Sequence, residues 1–134
     1  MAEKIEDLLT SGNSLALAYL GDAVFELAIR HEMIRRGHIK LHDLNKQTVR
    51  FVSADAQAKA VHFLAEVLTE EEAEWLRRGR NVKSKHASRG STVLEYRHAT
   101  ALETLMGYLY LKERQSRVEE LIQHIIKEME SVES

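Results

Sequence analysis

The chain has 134 residues, a formal net charge of −2, no cysteine and no proline. That length supports one domain with a core of its own, and the missing thiols exclude both a disulfide framework and a thiolate metal site. The N-terminal Met1-Ala-Glu-Lys-Ile-Glu-Asp has no signal-peptide core, and no apolar run approaches the roughly 20 residues that span a bilayer, so a cytoplasmic protein is expected. Zero proline, six glycines and no alternating strand pattern point to an all-α fold of five or six helices.

The first well-marked helix is expected from about Ser14 to Arg35, ending on a basic turn and Gly37. It carries the most informative stretch, Ala16-Leu-Ala-Tyr-Leu-Gly-Asp-Ala-Val-Phe-Glu26, where apolar residues occur on every side and predict a largely buried element. A single carboxylate, Asp22, stands in that run directly after Gly21. A buried unpaired carboxylate costs several kcal/mol, so Asp22 must be paired, protonated or placed against a metal. Glu26 and Arg30 four residues on form a plain helical ion pair.

A polar connection, His38 to Asp43, precedes a second helix from about Leu44 to Leu68, with a break near Val52-Ser53. His38 and His42, four residues apart, read as ordinary polar connection residues. Thr69-Glu-Glu-Glu72 is a capping box opening a short helix to Arg78, closed by Gly79. Residues 80 to 91 read as a loop. Thr92-Val-Leu-Glu95 is a second capping box, opening a helix to about Glu113. It contains Ala99-Thr-Ala-Leu-Glu-Thr-Leu-Met-Gly-Tyr-Leu-Tyr110, again nearly apolar with one carboxylate, Glu103. The last helix starts at Ser116, and its Val118, Leu121, Ile122, Ile125, Ile126 and Met129 form one apolar face. Trp75, Tyr108 and Tyr110 sit at helical positions suited to a core or an interface.

Charge is distributed unevenly. Arg77, Arg78, Arg80, Lys83, Lys85 and Arg89 fall within thirteen residues without an acid, and the rest of the chain carries thirteen basic against twenty-one acidic residues. An acidic body with one basic segment, which also includes Asn81, suits an anionic partner. The segment has no interleaved aromatics, so duplex shape and backbone contact fit it better than stacking on single strands. Small residues flank both Asp22 and Glu103, leaving room for close helix packing or for water and a cation. Two acids on two apolar helices suit a hard cation such as Mg²⁺, which keeps several waters and takes phosphate oxygens. Salt bridging or helix capping is the competing reading of the same two acids.

Leu20-Gly-Asp-Ala-Val-Phe-Glu26 resembles the first motif of the ribonuclease III catalytic domain, E-x-x-E-F-L-G-D-(A/S)-V-(L/I), and Glu103-Thr-Leu-Met-Gly-Tyr-Leu-Tyr110 resembles the second, D-x-x-E-A-(L/I)-x-G-A-(I/L)-Y. Val52-Ser-Ala-Asp-Ala-Gln-Ala58 is a weaker match to the family's middle helix. The likeness covers nearly the whole chain, residues 1–134 as one catalytic domain, and leaves no room for a double-stranded RNA-binding domain, as in the compact bacterial branch of the family. It implies a helical homodimer cutting both strands of duplex RNA with Mg²⁺, with Asp22 and Glu103 as catalytic and metal-binding residues. Ala18 stands where the first-motif glutamate belongs and Thr100 where the second-motif aspartate belongs, as in that compact branch, which implies a water-rich metal shell in which Thr100 acts through water. The basic segment then becomes the RNA grip: Arg77, Arg78, Arg80, Asn81, Lys83, Lys85 and Arg89. The resemblance further implies maturation of a large-subunit ribosomal RNA precursor, with room for a ribosomal protein partner. Non-catalytic alternatives are a helical dimer binding structured RNA or the ribosome, and a protein–protein adaptor.

Overall fold

The computed structural model describes residues 2–82 and 92–133, and these form seven helices and no strand: α1 (Ala2–Ser11), α2 (Ser14–Arg35), α3 (Leu41–Val52), α4 (Ala54–Leu64), α5 (Glu70–Arg80), α6 (Val93–Leu111) and α7 (Gln115–Glu133). The all-α expectation holds. One helix, α1, goes beyond the sequence reading, and the expected break after Val52 separates α3 from α4. Ser53 makes that break: its extended backbone ends one helix while its hydroxyl accepts from the Ala56 amide at 3.2 Å and caps the next. Both capping boxes form. Thr69 and Glu72 satisfy each other's amides at 3.1 and 2.9 Å, and Thr92 and Glu95 do so at 3.0 and 2.9 Å.

Gly79 does not close α5. The helix continues to Arg80, because Gly79 is buried against α6, where an added Cβ would lie 2.6 Å from the Thr104 hydroxyl and 2.8 Å from Ala101 Cα. Its role is close approach of two helices.

The architecture is organised around α2 and α6, the most extensively paired helices, with α4, α5 and α7 packed about them. Their crossing is a backbone contact. A Cβ on Gly21 would sit 1.6 Å from the Glu103 carbonyl oxygen, and one on Gly107 would sit 2.0 Å from that of Leu17. Thr104 secures the seam, its hydroxyl reaching the Ser14 carbonyl at 3.1 Å and the Thr100 carbonyl at 2.7 Å. Around it lie Leu17, Phe25, Ile29, Met33, Leu102, Leu105, Met106 and Leu109, with the expected apolar face of α7 closing the core. Trp75 stacks on Tyr108 at 4.6 Å, flanked by the Arg78 and Arg114 guanidinium groups at 4.8 and 5.6 Å from the respective rings.

Two buried acids are held by arginine and join helices. Glu72 receives Arg117 through Nε and Nη2, both at 2.8 Å, and Glu32 receives Arg35, Arg36 and the Gln123 amide. The Arg35 hydrogen bonds chiefly hold the Glu32 carboxyl down at about 2. That stability is present above the ordinary carboxylate range and is lost as pH falls through about 2. Replacing Gly21 or Gly107 by Ala should destabilise the fold by about 3 kcal/mol, because backbone rather than a side-chain tip must yield. Urea unfolding measures this, and a loss under about 0.5 kcal/mol would show that the helices can part freely.

Candidate active site

Where α2 and α6 cross, their outward faces form a concavity of about 600 Å³ lined by Leu15, Ala18, Tyr19, Leu20, Asp22, Ala23, Tyr96, Thr100 and Glu103. Gly21 and Gly107 bring the helices close enough for the Asp22 carboxyl to act directly on that of Glu103. The expected burial of Asp22 is not found: it is exposed, and Glu103 is the half-buried member. The difference arises because α2 buries only one side. Leu15, Tyr19, Leu27 and Ile34 stay 51–86% exposed, forming an apolar stripe that passes Asp22.

Burial pushes the Glu103 carboxyl up to about 9, and the neighbouring Asp22 carboxyl pushes it the same way. At neutral pH with no cation present, Glu103 therefore keeps its proton. Such a group favours folding below the ordinary carboxylate range, and that contribution declines as pH rises towards about 9.

Ala18 and Thr100 line this same concavity, as the spacing of the two motifs requires. Ala18 offers no polar group. Thr100 is 5% exposed and donates its hydroxyl to the Tyr96 carbonyl at 2.9 Å, so it is held inward by its own helix. Among the described residues no group of three or more His, Asp or Glu side chains assembles, so the carboxyls here number two. A soft or four-ligand metal does not suit that set. A hard divalent cation keeping most of its water does, and it would relieve the repulsion that holds the proton on Glu103.

The basic residues divide. Arg77, Arg78 and Asn81 line a second concavity of about 400 Å³ with residues 12–15 at the start of α2. Leu15 belongs to both concavities, making them adjacent. Arg77 is paired with Glu74 at 2.6 Å, and Arg78 reaches the same carboxylate at 3.2 Å. Arg80 faces His98 instead, whose pKa is lowered by burial and then by that guanidinium. Lys83, Lys85 and Arg89 lie outside the described residues. Glu26 and Arg30 form the expected exposed pair at 3.1 Å. Tyr19 and Tyr96 are site residues that sequence reasoning missed, although each shares a helical face with an acid, three residues before Asp22 and seven before Glu103.

The family model for the ribonuclease III domain matches residues 15–114, which include both carboxylates. The chain belongs to the ribonuclease III family. It is 44% identical over 119 residues to a Mini-ribonuclease 3 of Enterococcus faecalis, covering 87% of this chain and 90% of that one. A Mini-ribonuclease 3 of Brevibacillus brevis is 43% identical over 111 residues, covering 83% of each. The crystal structure of a Fusobacterium nucleatum protein superposes with a TM-score of 0.75 at 34% identity, covering 87% of this chain and 93% of that one. Membership makes this chain a ribonuclease, an enzyme of the hydrolase class.

With divalent cations chelated at pH 8, Glu103→Gln should stabilise the protein by on the order of 1–3 kcal/mol, since the unfolded chain ionises this carboxyl and the fold resists doing so. At pH 4 the gain should vanish. Thermal melts at the two pH values check this, and equal gains at both would show that no such shift exists.

Proposed function

We propose that this chain is a Mg²⁺-dependent endoribonuclease that cuts double-stranded RNA by phosphodiester hydrolysis, acting as a single-domain cytoplasmic homodimer on a large-subunit ribosomal RNA precursor. The observation that carries the reading is the Asp22–Glu103 pair, two carboxyls from two helices meeting in an open concavity, one of them keeping its proton. Perturbed acids of this kind concentrate at catalytic sites. A pure binding protein gains nothing from a half-buried acid whose ionisation opposes folding.

When bound, Mg²⁺ supplies an activated water and charge stabilisation at the phosphate under attack. Asp22, exposed at the rim, and Glu103, deeper in the concavity, would hold it. Their remaining task is orientation: both are fixed to helices whose backbones touch, so their separation is held by the fold. Arg77, Arg78 and Asn81, one concavity away, suit the phosphates of a duplex beyond the cleaved bond. Lys83, Lys85 and Arg89 would extend that grip, and duplex affinity falling steeply with added salt is its readout.

The exposed apolar stripe of α2 supports the homodimer, because a second copy can cover Leu15, Tyr19, Leu27 and Ile34 beside the carboxylates. The acidic remainder of the chain suits a basic ribosomal protein as a further partner.

A labelled RNA duplex tests the enzyme. Cleavage should need Mg²⁺, stop in EDTA, and fall at least ~100-fold in Asp22→Asn and in Glu103→Gln. Salt-sensitive binding with no cutting in any lane would favour the non-catalytic RNA-binding dimer. For the assembly, Tyr19→Asp should turn a dimer into a monomer in light scattering, and an unchanged mass would remove the stripe as the interface.

A further inference from the structure

The concavity around Asp22 and Glu103 contains few other polar groups. Ala18 has none, and Leu15, Leu20 and Ala23 are apolar. The Thr100 hydroxyl is turned back onto the Tyr96 carbonyl at 2.9 Å, and the residue is 5% exposed. Two phenol hydroxyls remain. The Tyr19 side chain stands out from α2, with the residue 86% exposed. Tyr96 differs: it is half-buried, it lies on the α6 face that carries Thr100 and Glu103, and its hydroxyl finds no hydrogen-bond partner among the described residues.

Spacing strengthens the point. Residues 96, 100 and 103 follow i, i+4, i+7, so Tyr96 lines the concavity two turns before Glu103 on the same side of one helix. A phenol can donate one hydrogen bond and accept another, which suits water held between a cation and protein. Two carboxyls leave most positions around a hard cation to water, and such water is oriented by the groups that surround it.

We propose that Tyr96 is a positioning residue of this site, its hydroxyl hydrogen-bonded to the water shell of the divalent cation that Asp22 and Glu103 hold. The inference rests on the cation reading of the preceding subsection. It assigns to a neutral phenol the ordering of water that a carboxylate at position 18 or 100 would otherwise provide. Thr100, held inward by its own helix, is not that group.

The test uses Mn²⁺ as the probe, with free ion followed by electron paramagnetic resonance in the absence of RNA. Tyr96→Phe keeps the ring and removes only the hydroxyl. Mn²⁺ binding should weaken ~10-fold, the range typical of groups that act behind metal ligands, while the melting temperature of the cation-free protein stays unchanged. Duplex cleavage should show the loss in kcat rather than KM. Tyr110→Phe, on the same helix beyond the Gly107 crossing, is the control and should bind Mn²⁺ as wild type does.

Wild-type Mn²⁺ affinity in Tyr96→Phe would overturn the proposal. So would a lowered melting temperature accompanying the weaker binding, which would assign the hydroxyl to the fold. Glu103→Gln separates this from failure of the underlying reading. If it loses Mn²⁺ and Tyr96→Phe does not, the phenol's role alone falls. If neither variant loses Mn²⁺, the carboxylate pair is not a cation site and both readings fall.

Discussion

The α2–α6 crossing rests on backbone touching backbone at Gly21 and Gly107, and the site depends on that contact. Helices separated by ordinary side chains pack with their axes about 8–10 Å apart. Removing the Cβ at both contact points lets the two backbones meet, and the flanking positions, Asp22 and Glu103, then face each other. The glycines and the acids are therefore parts of one device. The apolar surroundings follow from it as well, because a seam this tight admits little water and must be lined by Leu17, Leu102, Leu105 and Met106.

The same device explains where electrostatic tension is tolerated and where it is relieved. Glu32 and Glu72 are buried, yet each is held ionised by guanidinium groups. Glu32 joins α2 to α7 through the Gln123 amide, while Glu72 joins α5 to α7 through Arg117. Among the described residues Glu103 has no such cation, and it meets another acid instead. A fold that supplies arginines to two buried carboxyls and sets the half-buried Glu103 against another acid has concentrated its electrostatic tension at the concavity. Charge imbalance of this sort is a recurrent mark of a working site.

Much of this was legible in the sequence. Capping boxes at Thr69 and Thr92, the Ser53 break and the apolar face of α7 are local signals, and each appears where it was expected. Both carboxylates stood out because each is a lone charge in an apolar helix. Periodicity could not tell which side of α2 is covered: an all-round apolar helix reads as buried, whereas this one leaves Tyr19 and Leu27 to solvent. That is a tertiary fact. Gly79 was misread for a related reason, since a glycine after a basic turn looks like a helix stop unless the helix packed against it is known. Tyr19 and Tyr96 escaped notice because an aromatic at helical spacing resembles core until its neighbours are in place.

The Gly79 seam has a consequence for measurement along a nucleic acid. It presses α5, which carries Arg77 and Arg78, onto α6, which carries Glu103. Through that packing the basic concavity and the carboxylates belong to one block of helices. A strand held at the first and acted on at the second is gauged by a fixed rule whose length is set by helix packing. A binding domain on a flexible linker would sample many such distances, whereas this arrangement permits one. On the proposed function, the register of a cut would be a property of the hydrophobic core, and a methyl group added far from any phosphate could move it.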